Sequence, residues 1–97
     1  MELPDTYIHL EKIMKTEYFN LRGQTVKGVI LTRENYKEVA EWCDGGYYDS
    51  VDGDNIDRRV YIPIKNGIRT VHTGDAIVLI DGYYTNIPRG KDKRVRL

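Results

Sequence analysis

Two short polar corners constrain this chain more than anything else in it. Between Val60 and Asn86, Asn66-Gly67 and Asp81-Gly82 each interrupt apolar runs. Each pair tolerates positive φ, which a two-residue type I′ turn demands, so the stretch reads as two successive β-hairpins. Across the first corner the expected pairs are Lys65 with Ile68, Ile64 with Arg69 and Ile62 with Val71. That register puts Val60, Ile62, Ile64 and Val71 on one face and Tyr61, Pro63 and Ile68 on the other. Pro63 cannot donate a ladder bond, which implies an edge strand or an outward-facing nitrogen. Across the second corner Ile80 pairs with Tyr83 and Leu79 with Tyr84. Ala76 to Ile80 is continuously apolar, the pattern of a central strand buried on both faces. Thr73-Gly74-Asp75 makes the turn between the hairpins.

One helix is expected, Arg33 to Cys43. Thr32 is a good N-cap, and Tyr36, Val39, Ala40 and Cys43 fall on one face at i, i+3, i+4 and i+7. Gly45-Gly46 ends it by supplying a left-handed C-terminal residue. Before the helix, Thr16 to Arg22 and Gln24 to Leu31 read as strands, with Gly28 marking a bulge or a close backbone approach. Leu3 to Lys15 carries a partial helical stripe (Leu10, Ile13 and Met14), consistent with a helix on the core rim or an arm toward a partner. Tyr47 to Arg59 is the longest polar stretch and reads as a surface loop, with room for one short strand at Tyr47–Tyr48.

The fold class implied is α+β: a mostly antiparallel twisted sheet of about five strands with the helix on one face. The expected organisation is an extension over residues 1–22 (a short helix or strand), a core domain over 23–87 and a basic tail over 88–97 that is either frayed or a last edge strand. At 97 residues the chain holds one modest core.

Several function classes lose support on chemistry. One cysteine, Cys43, permits no intrachain disulfide, and its place on the apolar stripe suits a buried, inert thiol. His9 and His72 stand alone in sequence, so no zinc site can be drawn. Asp49, Asp52, Asp54 and Asp57 offer oxygens to calcium, but their spacing does not match an EF-hand loop, and a solvated acidic loop accounts for them. Nucleophile elbow, phosphate loop and dinucleotide fingerprint are all missing, so neither an enzyme nor a cofactor is expected. No apolar run approaches membrane-spanning length, and the N-terminus lacks the pattern of a secretory signal, which points to the cytoplasm.

What remains is binding. Eight tyrosines stand against one Phe and one Trp. Tyr47, Tyr48, Tyr61, Tyr83 and Tyr84, with Arg58 and Arg59, form the candidate contact surface if the acidic stretch folds over the sheet. Arg89, Lys91, Lys93, Arg94 and Arg96 offer an alternative, nucleic-acid contacts beside stacking tyrosines. The charge is also split. Residues 1–57 hold six Lys/Arg and twelve Asp/Glu, a balance of −6, whereas residues 58–97 hold nine and three, +6. Either the halves interleave and cancel, or two faces of opposite sign favour a homo-oligomer.

From Gln24 to Asn86 the chain resembles a group of small proteins of tailed phages and prophages. The residues carrying the likeness are Glu38-Val39-Ala40-Glu41-Trp42-Cys43 with Gly45-Gly46, then Ile62-Pro63, Gly67, Gly74-Asp75-Ala76-Ile77-Val78 and Gly82-Tyr83-Tyr84. The first 20 or so residues and the basic tail depart from that pattern. The resemblance implies a phage gene product acting inside a bacterial cell without obvious catalysis. The expected partners are a host protein, such as an enzyme or defence factor, or a small defence nucleotide. A nucleic-acid-binding regulator and a virion or assembly component are the alternatives.

Overall fold

The computed structural model describes residues 14–91 together with Arg94 and Val95. They form eight strands and one short helix: β1 (Thr16–Leu21), β2 (Gln24–Ile30), α1 (Tyr36–Trp42), β3 (Gly46–Asp52), β4 (Asn55–Ile64), β5 (Gly67–His72), β6 (Ala76–Ile80), β7 (Tyr83–Ile87) and β8 (Arg94–Val95). The strands build two antiparallel sheets rather than the single sheet expected. One has five strands in the order β7-β6-β2-β1-β8, the other three in the order β3-β4-β5.

The additional strands come from the stretch expected to be a loop. Residues Tyr47–Arg59 form a hairpin with Asp52 opposite Asn55 and Gly53 at the turn with φ +58. The misreading has a physical cause. Most of β3 is exposed, so its alternation has no buried face to reveal it.

The corners divide. At the second, Asp81 and Gly82 take φ of 51 and 80, and Ile80 pairs with Tyr83 as expected. At the first, the turn sits one residue earlier. Ile64 pairs with Gly67, Ile62 with Arg69 and Val60 with Val71, so Lys65 and Asn66 are the central residues, and neither has positive φ. A slip of two in pairing preserves the faces, because side chains alternate with period two. Val60, Ile62 and Val71 are therefore buried together, while Pro63 and Ile68 are exposed. β4 is the central strand of its sheet, not an edge. Pro63 is tolerated there because it lies beyond the last β3 pair, Gly46 with Tyr61.

The helix is also shorter than expected. Thr32 does not cap it. Its Oγ1 accepts from the backbone N–H groups of Glu34 (3.3 Å) and Asn35 (3.1 Å), closing a turn before the helix. The Asn35 side chain ties back to β2, donating to the Ile30 carbonyl at 2.9 Å and accepting from the Thr32 N–H at 2.8 Å. Such local bonds compete with helical ones and delay the start. At the other end Asp44, not Gly45, takes the left-handed conformation, with φ 55. Asp44 N–H donates to Glu41 and Gly45 N–H to Ala40, the two bonds of a Schellman ending.

The apolar side chains divide between the two faces of the five-stranded sheet. One face brings Val29 and Ile77 against Val39, Ala40 and Cys43 of the helix segment and Val60, Ile62 and Val71 of the second sheet. The other gathers Phe19, Val26, Ala76, Val78 and Ile87. β6 lies centrally, as expected, with Ala76, Ile77 and Val78 buried on both faces, though Leu79 opens to solvent. Gly28 lies at an unbroken stretch of pairing between Glu17 and Val78, so it marks close approach rather than a bulge.

Both ends of the described chain contribute strands. Residue 22 falls in the β1–β2 turn, and β1 lies inside the sheet with Phe19 fully buried. Of the basic tail, Arg94 and Val95 pair with Phe19 and Tyr18 as a last edge strand. The helix or arm expected over Leu3–Lys15 lies, apart from Met14 and Lys15, outside the described residues; Met14 is buried in the inter-sheet core. The charge halves interleave, since β6, β7 and β8 share a sheet with β1 and β2.

Gly28→Ala tests this packing. Its Cβ would fall 2.6 Å from both the Ile77 carbonyl oxygen and Val78 Cγ1. Overpacking against backbone should cost about 2–3 kcal/mol, read as a lower denaturation midpoint at unchanged slope. Gly53→Ala, which meets no atom within 4 Å, should cost about 1 kcal/mol from its backbone conformation alone.

Candidate binding groove

The turn after α1, the end of the β4–β5 hairpin and β7 converge on one side of the molecule. Two concavities open there. The larger, about 790 Å³, lies between Ile64, Lys65 and Arg69 on one wall and Tyr83, Tyr84 and Thr85 on the other. The smaller, about 610 Å³, lies between the Asp44–Gly46 turn and the outward face of Tyr61, Pro63 and Ile68. Asp44 and Pro63 line both, so the two adjoin; together they make up the candidate groove.

Its walls are held by specific contacts. Tyr84 donates its hydroxyl to the Trp42 carbonyl at 3.0 Å and packs edge-on against the Trp42 ring, with centroids 5.0 Å apart. Burial pushes the Tyr84 phenol above its ordinary pKa. Gly45 is pressed against the Tyr61 carbonyl so closely that a side chain there would collide with backbone. This fixes the Asp44 turn onto β4. Arg69 Nη1 reaches across the larger concavity to Thr85 Oγ1 at 3.3 Å and Asn86 Oδ1 at 3.2 Å. Two apolar side chains stand open at the rim, Ile68 at 73% and Tyr83 at 72% relative exposure.

The structure divides the residues expected at a contact surface. Tyr61, Tyr83 and Tyr84 line the groove. Tyr47, Tyr48, Arg58 and Arg59 belong to the β3–β4 hairpin and are engaged in contacts of their own. Asp49 accepts from Arg58 Nε at 2.9 Å and from the Tyr36 hydroxyl at 2.7 Å. Arg58 lies 4.8 Å over the Tyr36 ring and donates to the Arg33 carbonyl, and Tyr47 packs edge-on against Tyr36. Arg59 forks onto Asp57 through Nε and Nη2 (2.9 and 2.6 Å) and lies over Tyr48. This cluster fastens the hairpin to α1.

The basic tail is dispersed too. Arg89 packs over Gly74, and its N–H donates to Asp75. Arg94 lies 3.5 Å from Glu17, Lys91 is exposed, and Lys93 and Arg96 lie outside the described residues. Asp44, Lys65, Ile68 and Arg69 were not among the residues expected at a site. The pairing faces do place Ile68 beside Tyr61 and Pro63, but nothing in the sequence brings Asp44 to them.

Chemically the groove offers aromatic and aliphatic contact, one carboxylate and two cations. Cys43 also lines it, but burial pushes its thiol up to about 11, which keeps it protonated and unreactive. Among the described residues no group of three or more His, Cys, Asp or Glu is placed to hold a metal ion, and no helix is long and apolar enough to cross a membrane. No family model matches the chain, and neither the curated proteins nor the solved structures provide a match.

The Asp49 cluster generates a pH prediction. Hydrogen bonds from Arg58, then from Tyr36, favour the charged carboxylate and hold Asp49 below its usual range. A depressed pKa adds stability above the unfolded-state value and loses it as pH falls through the folded one. Asp49→Asn should therefore be less stable than the parent at neutral pH. The gap should close as denaturation midpoints are followed down through and below the carboxylate range.

Proposed function

We propose that this chain is a non-catalytic binding module, a phage accessory protein that holds a host protein in the groove between the β4–β5 hairpin and β7. One observation carries the reading. Ile68 and Tyr83, the two most exposed large apolar side chains among the described residues, line two adjoining concavities, Ile68 the smaller and Tyr83 the larger. Aromatic anchors beside a pocket are the usual origin of protein-binding energy. The groove's walls are fixed by Tyr84, Gly45 and Arg69, so little ordering is required on binding. The phage origin rests on the motif residues from Glu38 to Tyr84 described above. Cytoplasmic action in a bacterial host follows from that origin.

The nucleic-acid alternative draws less support. The Arg89 side chain lies over Gly74 and that of Arg94 beside Glu17, on separate neighbours, and phosphate binding works by concentrating such charges along one track.

The test is capture followed by reconstitution. A tagged parent chain, a Tyr48→Ala variant and an Ile68→Asp/Tyr83→Ser double variant are compared in bacterial lysate, and the retained protein is purified for direct titration. The parent and Tyr48→Ala should bind it equally. The double variant should bind at least about tenfold more weakly, the size expected when a hot-spot anchor is lost. Equal binding by all three removes the groove from the function.

A further inference from the structure

Gly82, Tyr83, Tyr84 and Thr85 all line the larger concavity. Successive side chains of a strand point to opposite faces. Consecutive residues share a groove only when the strand's edge, with its backbone groups, runs along it. β7 is such an edge: among the described residues it ends the five-stranded sheet and pairs only with β6. The two-residue turn at Asp81-Gly82 makes Ile80 and Tyr83 the hydrogen-bonded pair that closes the hairpin. Alternation then turns the N–H and C=O groups of Tyr83, Thr85 and Ile87 toward β6, and those of Tyr84 and Asn86 away from it. Among the described residues neither Tyr84 nor Asn86 makes a backbone–backbone bond outside the sheet. Nothing along Tyr83–Ile87 blocks pairing, since the strand has no proline, no charged residue and no bulge.

The facing wall supplies charge. Among the described residues Arg58, Arg59 and Arg94 each meet a carboxylate, whereas Lys65 and Arg69 meet none. The Arg69 guanidinium is instead oriented by two neutral oxygens, on Thr85 and Asn86, beside the open edge. A carboxylate there would form charge-assisted bonds with a donor already in position.

We propose that an extended segment of a partner protein adds to β7 as a further strand. Its backbone bonds to Tyr84 and Asn86, and an acidic side chain meets Arg69 and Lys65. This mode of recognition takes affinity from main-chain bonds and specificity from alternate side chains. It rests on the groove being the binding surface.

The probe is a capped heptapeptide alternating threonine and valine around one central glutamate. It is compared with a lysine twin and with a version N-methylated at alternate amides. Binding to the full chain is followed by amide chemical shifts and hydrogen exchange. The glutamate peptide should saturate and slow exchange at the Tyr84 N–H by roughly tenfold. The lysine twin and the N-methylated version should bind about fivefold more weakly or worse, and Arg69→Gln should abolish the preference for glutamate over lysine. Strand addition is overturned by equal binding of the glutamate and lysine peptides, by protection confined to β3 or β5, or by no saturable binding. It is also overturned if adenosine monophosphate shifts the Tyr83 and Tyr84 amides more strongly than the peptide does, or if self-association protects them without it. If host-protein capture depends on Ile68 and Tyr83 while the Tyr84 amide stays unprotected, strand addition fails and the groove reading stands.

Discussion

The two sheets are joined through one apolar seam. Val60, Ile62 and Val71 are buried on one face of the three-stranded sheet, and they cluster with Val29 and Ile77 and with Val39, Ala40 and Cys43 of the helix segment. Each valine or isoleucine among them contributes about 1.5–3 kcal/mol on full burial. A surface ion pair contributes about 0–1 kcal/mol. The seam therefore decides how the sheets sit, and the Arg58–Asp49, Arg59–Asp57 and Arg94–Glu17 pairs adjust a placement already made. Backbone bonds reinforce it: Leu31 N–H donates to Asp75 at 2.9 Å and Gly74 N–H to Leu31 at 2.8 Å, fastening the β5–β6 turn to the exit of β2.

The groove is where that seam ends. Ile64 and Tyr84 are only partly buried, and beyond them the β4–β5 hairpin and β7 part. The gap is framed by features each set for a local reason: a Schellman turn that places Asp44, a glycine that lets β4 touch that turn, and a phenol anchored on the last helical carbonyl. Each of these contacts is made within the chain itself. In the tyrosine-rich opposite half, Tyr36, Tyr47 and Tyr48 are likewise engaged by rings and guanidinium groups of the same chain.

How much of this the sequence discloses depends on burial. The Asp81-Gly82 corner, the buried run at Ala76–Val78 and the apolar face of Val60, Ile62 and Val71 were legible because turn chemistry and periodicity report them directly. The turn at Lys65-Asn66 was misplaced because Asn-Gly is read as the corner itself, when Gly67 here opens the next strand. Tyr47–Arg59 was misread because an exposed hairpin has the composition of a loop. The helix start was misread because Thr32 and Asn35 carry capping chemistry that they direct to β2 and to a preceding turn. Of the groove's lining, Tyr61, Tyr83 and Tyr84 are among the residues that the sequence offers as a contact surface. Asp44 and Arg69 are not, because no local pattern indicates which residues two separate sheets will bring face to face.

The β3–β4 tip has a use that follows from its surroundings. A side chain built at Gly53 would meet nothing within 4 Å. β4 runs ten residues from just after that tip to Ile64, roughly 33 Å at the rise of an extended strand. A fluorophore or surface anchor attached there would stand at the far end of the longest strand from the β4–β5 turn. The molecule could thus be tethered with its groove facing away from the support and free to meet solution.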